Sequence, residues 1–137
     1  MKKILAMGLI LALCLCGCGE EQKAKVNLPE EKYDALVTMT QVVDSYLDME
    51  ITATEANKKL QQLDGRIDVE SIGGDGSDLN LELFETQVRS VYISISYAAN
   101  HEQIVGSSAD EEDMKELGEN QNDILRSNNE IKEALGI

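Results

Sequence analysis

The sequence predicts an all-α fold, a small antiparallel bundle of three to four helices that follows a separate N-terminal segment. Apolar residues recur at alternating intervals of three and four positions in four stretches, which places them on one face of a helix. Two of these stretches begin with capping-box sequences, and a glycine-rich segment divides the chain near its middle. Because the connections are short, neighbouring helices are expected to lie antiparallel.

The first predicted helix covers residues 29–51. Pro29 is tolerated in a first helical turn, and Asn27 is the expected N-cap, with Glu30 three residues later. The apolar face is broad because two adjacent stripes contribute to it. The stripes contain Leu36, Thr40, Val43 and Leu47, and Ala35, Met39, Val42, Tyr46 and Met49.

The second predicted helix begins at a capping box, in which Thr52 and Glu55 satisfy each other's free backbone amides. Thr52 lies five positions after Leu47, so the first two helices are expected to form an antiparallel hairpin. One face of the second helix carries a regular apolar stripe. It contains Ala53, Ala56, Leu60, Leu63 and Ile67.

The third helix is predicted to follow the glycines within residues 73–76, with Ser77 or Asp78 as its N-cap, and to end near Asn100. Residues 91–97 also alternate as a strand would, and they are rich in β-forming residues. We prefer the helix because a lone strand would lack partners, and a small α+β fold is the alternative. The inward stripe contains Leu81, Phe84, Val88, Val91, Ile95 and Ala98.

The fourth predicted helix begins at a second capping box, from Ser108 to Glu111, and continues to about Leu135. Gly118 costs about 1 kcal/mol relative to alanine in a helix interior, so the sequence leaves its continuity open. Gln121 and Asn128 occupy heptad core positions and are expected either to face a partner protein or to pair with each other. The heptad positions contain Met114, Leu117, Gln121, Ile124, Asn128, Ile131 and Leu135.

The N-terminal segment has the layout of a secretory signal. Lys2 and Lys3 precede an apolar run at 4–15, and a small residue precedes Cys18. This arrangement resembles the lipobox of bacterial lipoprotein precursors. The resemblance implies that residues 1–17 are a removable signal peptide and that Cys18 carries a diacylglycerol with acyl chains such as palmitate.

Residues 19–27 are polar and aperiodic, which suits a flexible tether. With the lipid that the resemblance implies on Cys18, the rest of the chain divides into a lipidated, flexible tether at 18–27 and a helical domain at 28–137. An apolar run of about 12 residues is too short to span a bilayer, which needs about 20 helical residues. Attachment is therefore expected through the acyl chains. The implied location is extracytoplasmic and lipid-anchored, at the cell membrane or the outer membrane.

Strong acidity limits the classes of partner. The chain has 12 basic and 26 acidic side chains, and removing Lys2 and Lys3 with the signal peptide leaves 10 against 26, a formal charge of −16. Nucleic acids are bound through lysine and arginine, so nucleic-acid binding is not expected. All three cysteines lie at or before position 18, so no disulfide is expected in the domain, and nothing implies a cofactor.

A weak candidate cation site lies around the glycine-rich segment. Asp75, Asp78, Asn80 and Glu82 offer the oxygen ligands that calcium prefers, although their spacing does not match an EF-hand. The same residues suit a turn and a helix cap, so no metal site is predicted. Zinc is not expected, because the chain has one histidine and the cysteine left after cleavage is blocked by lipid.

No residues form a recognisable catalytic set. His101 has no nucleophile in a known spacing and is expected near the negative end of the third helix. The acidic residues 110–113 are expected at a helix N-terminus, where the helix dipole favours them. The tyrosines are expected to be half-buried in the core, with a ligand groove as the alternative. They are Tyr33, Tyr46, Tyr92 and Tyr97.

The expected function is that of a membrane-anchored extracytoplasmic lipoprotein, with a helical domain that binds another protein of unknown identity or serves as an accessory subunit. Enzymatic activity is not expected. The alternative is a small-ligand or cation-binding surface lipoprotein, which the acidic residues within 75–82 favour.

Overall fold

The computed structural model describes residues 26–72, 78–105 and 111–137. Within those ranges there are four α-helices, a short 3-10 helix at Val69–Ser71 and no strand. The prediction of an all-α bundle is confirmed. The helices are α1 at Glu30–Leu47, α2 at Ala53–Ile67, α3 at Leu79–Val105 and α4 at Glu111–Leu135.

The four helices pack in a ring in which each one contacts its neighbour in the chain and α1 also contacts α4. The Tyr33 hydroxyl donates to the carbonyl oxygen of Leu135 at 3.2 Å, so the start of α1 lies beside the end of α4. The Tyr92 hydroxyl donates to the carbonyl oxygen of Leu60 at 3.2 Å across α2 and α3. These pairings have the antiparallel order that short connections predict.

Helix α1 is shorter than predicted at both ends. Its N-cap is Pro29, which has no side-chain capping bond, so the assignment of Asn27 as N-cap is wrong. Pro29 is extended (φ −56°, ψ 143°), and its carbonyl accepts the first helical bond from Tyr33 at 2.9 Å. At the other end, Met49 adopts a left-handed backbone (φ 61°), which ends the helix before residue 51.

Helix α2 begins at the predicted residue and buries the predicted face. The Thr52 hydroxyl accepts from the Glu55 amide at 3.1 Å, and the Thr52 amide donates to the Glu55 carboxylate at 3.0 Å, which confirms the capping box. The predicted inward stripe is also confirmed. Its buried members are Ala53, Ala56, Leu60, Leu63 and Ile67.

The capping box makes the stability of α2 depend on pH. Its hydrogen bonds from Thr52 lower the pKa of Glu55 below the ordinary 4.5. The stabilisation is therefore present above that value and is lost as the pH falls through the folded pKa. We expect Glu55→Gln to reduce the loss of melting temperature between about pH 5 and pH 3. Glu130→Gln, at an exposed position of α4, is the matched control, and identical pH slopes for wild type and Glu55→Gln would contradict the prediction.

Helix α3 begins where predicted and extends past Asn100. The Asp78 carboxylate accepts from the Asn80 amide at 2.9 Å, which makes Asp78 the cap, and the alternative cap Ser77 lies outside the described residues. The segment 91–97 is helical, and the buried Ile95 lies on the inward face while Ile93 is exposed. The helix continues because no glycine or proline occurs between Asn100 and position 106.

Helix α4 is continuous through Gly118, where open space surrounds the position of a side chain. Its predicted cap at Ser108 lies outside the described residues. The heptad is confirmed at Ile124, Asn128, Ile131 and Leu135, which are buried. The prediction of Gln121 as a core position is wrong, because its side chain is exposed near the end of the bundle that contains the α1–α2 turn.

Candidate functional site

The main polar cluster between α1 and α4 centres on Asp44. Its Oδ1 atom accepts from Asn128 Nδ2 at 2.9 Å and from Lys132 Nζ at 2.6 Å. Asn128 and Lys132 are four residues apart on α4, so both side chains reach the same carboxylate from one helix face. The cluster therefore joins α1 to α4 at a fixed register.

Asn128 is fully buried, and its Oδ1 atom has no hydrogen-bond partner. An unsatisfied buried acceptor costs about 1–3 kcal/mol. Because the amide nitrogen donates to Asp44, the predicted alternative that Asn128 pairs with Gln121 is wrong. A buried amide at a core position of a bundle fixes helix register at the expense of stability, which is the role that its geometry supports.

A cavity of about 370 Å³ lies at the end of the bundle that contains the α1–α2 turn. Tyr46 and Gln121 both line it. Burial raises the pKa of Tyr46, and the nearby negative charge of Glu102 raises it further. The lining is mixed, since Met49, Ile51 and Leu117 contribute apolar side chains.

The Glu102 carboxylate beside this cavity caps the start of α2. It accepts from the amides of Ala53 at 2.9 Å and Thr54 at 3.0 Å, and from the Thr54 hydroxyl at 3.0 Å. These amides are free donors in the first turn of α2, and a carboxylate also favours the positive end of the helix. Glu102 therefore caps the first turn of α2 from the neighbouring helix α3.

The candidate cation ligands do not form a ligand cluster in the described part of the chain. Asp78 caps α3, while Asn80 and Glu82 lie exposed in its first turn. Asp75 lies outside the described residues. No group of three histidine, cysteine, aspartate or glutamate side chains suited to a metal occurs within 26–72, 78–105 and 111–137. The turn-and-cap interpretation fits Asp78.

His101 lies one turn before the end of α3 and faces α4. Its Nε2 atom is 3.6 Å from Asp113 Oδ1, and the histidine side chain is mostly buried. The neighbouring Tyr97 hydroxyl donates to Glu116 at 2.6 Å, and this bond to a carboxylate raises the pKa of Tyr97. These two contacts, from His101 to Asp113 and from Tyr97 to Glu116, join α3 to α4, and the first gives Asp113, from the predicted acidic helix start, a structural role.

The tyrosines are mainly packing residues. Tyr33 and Tyr92 are half-buried and donate to backbone carbonyls of neighbouring helices, as the core interpretation predicts. Burial raises the pKa of Tyr92 well above its usual range. Tyr46 is buried but also lines the cavity, and Tyr97 is exposed on α3.

Asp44, Lys132 and Glu102 are site residues that the sequence pattern did not indicate. Asp44 follows the buried Val43 on α1, and Lys132 is four residues after Asn128, so both positions border the core face. The position of each charged residue next to the core face of its helix could have indicated a charged pair at the α1–α4 interface. Glu102 had no comparable signal, because its partners lie 49 and 48 residues away on α2.

Comparisons with known proteins give no relative: no family, curated protein or solved structure matches the chain. In the described part of the chain, no helix has the length and apolar character needed to cross a membrane.

Proposed function

We propose that the protein is a membrane-anchored extracytoplasmic lipoprotein whose helical domain serves as a non-enzymatic protein-interaction or accessory module. The observation that carries the proposal is Cys18, which follows a basic pair and a short apolar run in the arrangement of a lipobox. Cys18 lies outside the described residues, so the support is its sequence context.

The start of the domain fits a short tether. Val26 is buried against the core, only eight residues after Cys18. Eight extended residues span at most about 29 Å, so lipid on Cys18 would hold the bundle beside the membrane. The anchor would then be attached at the end of the bundle that contains the start of α1 and the end of α4, with the α1–α2 turn at the opposite end.

The polar clusters support an interaction module rather than an enzyme. Asp44 fixes the register of α1 and α4, while Asp78 and Glu102 cap helices. Each of these carboxylates accepts hydrogen bonds that hold the fold, Asp44 and Asp78 through Oδ1 and Glu102 through both oxygens. The cavity beside Tyr46 is open to solvent at the end that the proposed tether would leave free for a partner.

Replacing Cys18 by serine is expected to abolish labelling by a fatty-acid probe and to move the protein from the detergent phase to the aqueous phase. The reason is that the thiol of Cys18 would carry the diacylglycerol, and serine has no thiol to which this lipid can be attached. Cys16→Ser is the matched control, because it removes a thiol from the same segment and leaves Cys18 in place. Phase partitioning and probe labelling of cells that express each variant provide the measurement.

Labelling that persists in Cys18→Ser would contradict the anchor. If labelling is lost in Cys16→Ser and not in Cys18→Ser, Cys16 carries the lipid, and this result would also contradict the proposal.

A further inference from the structure

The cavity at the α1–α2 turn, which we call the bundle-end cavity, combines an apolar interior with a polar opening. Every buried or half-buried residue of its lining is apolar or aromatic. These residues are Tyr46, Ile51, Ala53, Ala98 and Leu117. The exposed lining residues are polar except for Met49, which is 84% exposed. An occupant of this cavity therefore needs both an apolar and a polar part.

The charged residues that line the bundle-end cavity are all acidic. They are Glu50, Glu55 and Glu102, and no lysine, arginine or histidine of the described chain lines the cavity with them. A group that enters the cavity meets negative charge without a competing cation in the lining. Charge complementarity therefore favours a cationic occupant.

Two of the three carboxylates have oxygens that the described fold does not use. Glu55 accepts from Thr52 through Oε2 alone, and the Glu50 side chain makes no hydrogen bond or ion pair with the described residues. A carboxylate oxygen is a strong acceptor for an ammonium or guanidinium group. A cation can therefore bind to Glu50 and Glu55 without breaking a hydrogen bond that holds the fold.

The size of the cavity limits what can enter it. Its volume of about 370 Å³ is near the lower end of the range for ligand pockets, which is about 300–1,000 Å³. This volume suits one long side chain of a partner. Lysine and arginine place their alkyl stems along apolar surface and keep the charged group at a polar edge. Their two parts match the apolar interior and the acidic opening of the cavity.

We propose that the bundle-end cavity binds a basic segment of a protein partner, with the alkyl stem of one arginine or lysine inside the cavity and its charged group at Glu50 and Glu55. The inference rests on the interaction role in the proposed function and specifies the site and the chemistry of the partner. It does not depend on the lipid, because the lining residues all lie within 46–121.

Fluorescence anisotropy of the full chain in mild detergent tests the site. The probe is a dye-labelled hexapeptide of alternating arginine and leucine. Glu50→Lys is expected to weaken its binding at least about tenfold, because the substitution places a cation where the probe needs an acceptor. Glu130→Lys is the matched control, since it makes the same charge change at an exposed position of α4 outside the cavity. The control is expected to change the affinity less than about twofold.

The variants separate a specific site from general attraction to an acidic chain. Equal weakening by Glu50→Lys and Glu130→Lys would show that the net charge of the chain holds the probe and would overturn the proposal. Equal affinity for a hexapeptide of alternating glutamate and leucine would overturn it too, because apolar contact alone would then explain binding. Absence of binding at about millimolar probe concentration would have the same consequence. Glu50→Gln, expected to weaken binding about threefold, replaces Glu50→Lys if the latter lowers the melting temperature.

The same measurement on Cys18→Ser separates this proposal from the anchor. Wild type and Cys18→Ser are expected to bind the probe equally. Loss of binding in Cys18→Ser would assign the probe to the lipid or its micelle and would overturn the docking site. If Cys18→Ser keeps its fatty-acid label and also binds the probe equally, the anchor fails and the docking site is supported.

Discussion

Truncation of Ile95 to alanine is expected to lower the free energy of unfolding by about 2–5 kcal/mol. Ile95 is fully buried on the inward face of α3, where the substitution removes apolar surface and leaves a cavity that the packed helices fill only in part. A loss of this size is a large fraction of the roughly 5–15 kcal/mol by which natural domains are stable. Urea unfolding at low protein concentration measures it.

Ile93→Ala is the matched control for this experiment. The same side chain is shortened two residues away, but Ile93 is 63% exposed, so the change is expected to stay within about 0.5 kcal/mol. In a strand, Ile93 and Ile95 would share one face and would have similar environments. Equal losses from the two variants would therefore contradict the helical structure of segment 91–97.

Replacement of Glu102 by alanine is expected to destabilise the domain by about 1–2 kcal/mol. The substitution removes the acceptor for the amides of Ala53 and Thr54 and for the Thr54 hydroxyl. It also breaks a contact that holds the start of α2 against α3. Because the carboxylate is partly exposed to water, water replaces some of these bonds, and the loss stays well below that of a core truncation.

Gln103→Ala provides the control for Glu102, since Gln103 is the adjacent exposed residue of the same helix. It is expected to change the free energy of unfolding by less than about 0.5 kcal/mol. Thr54→Ala should cost less in the Glu102→Ala background than in wild type, because the two side chains share a hydrogen bond. Additive losses would show that Glu102 stabilises the domain by some other route.

Sequence alone predicted the parts of the fold that depend on local interactions. The Thr52 capping box and the inward stripe of α2 were correct, since both arise within one or two helical turns. The helical character of 91–97 required more than local pattern, because the same residues fit a strand. The helix was preferred because a strand at 91–97 would have no partner strands, and this prediction is correct. Ile95 is buried and Ile93 is exposed, as expected in a helix and not in a strand.

The parts that sequence did not predict depend on contacts distant in the chain. Asn128 was correctly placed in the core, but its partner Asp44 lies 84 residues away on α1. The heptad also placed Gln121 inside, although this position lies near the end of the bundle beside an open cavity. Periodicity defines which helix face points inward, but it does not define where the neighbouring helices stop covering that face.

The ring of antiparallel helices makes the response to mechanical load depend on direction. The first and last residues of the described domain lie at one end, where Tyr33 contacts Leu135. A pull between these two ends separates α1 from α4 one contact at a time, starting at that hydrogen bond. A pull between residue 26 and the turn at 48–52 acts along α1, so the backbone hydrogen bonds of that helix carry the load together with its lateral contacts. With the proposed anchor on the N-terminal segment, a partner bound at the α1–α2 turn would therefore pull on the domain along its more resistant axis.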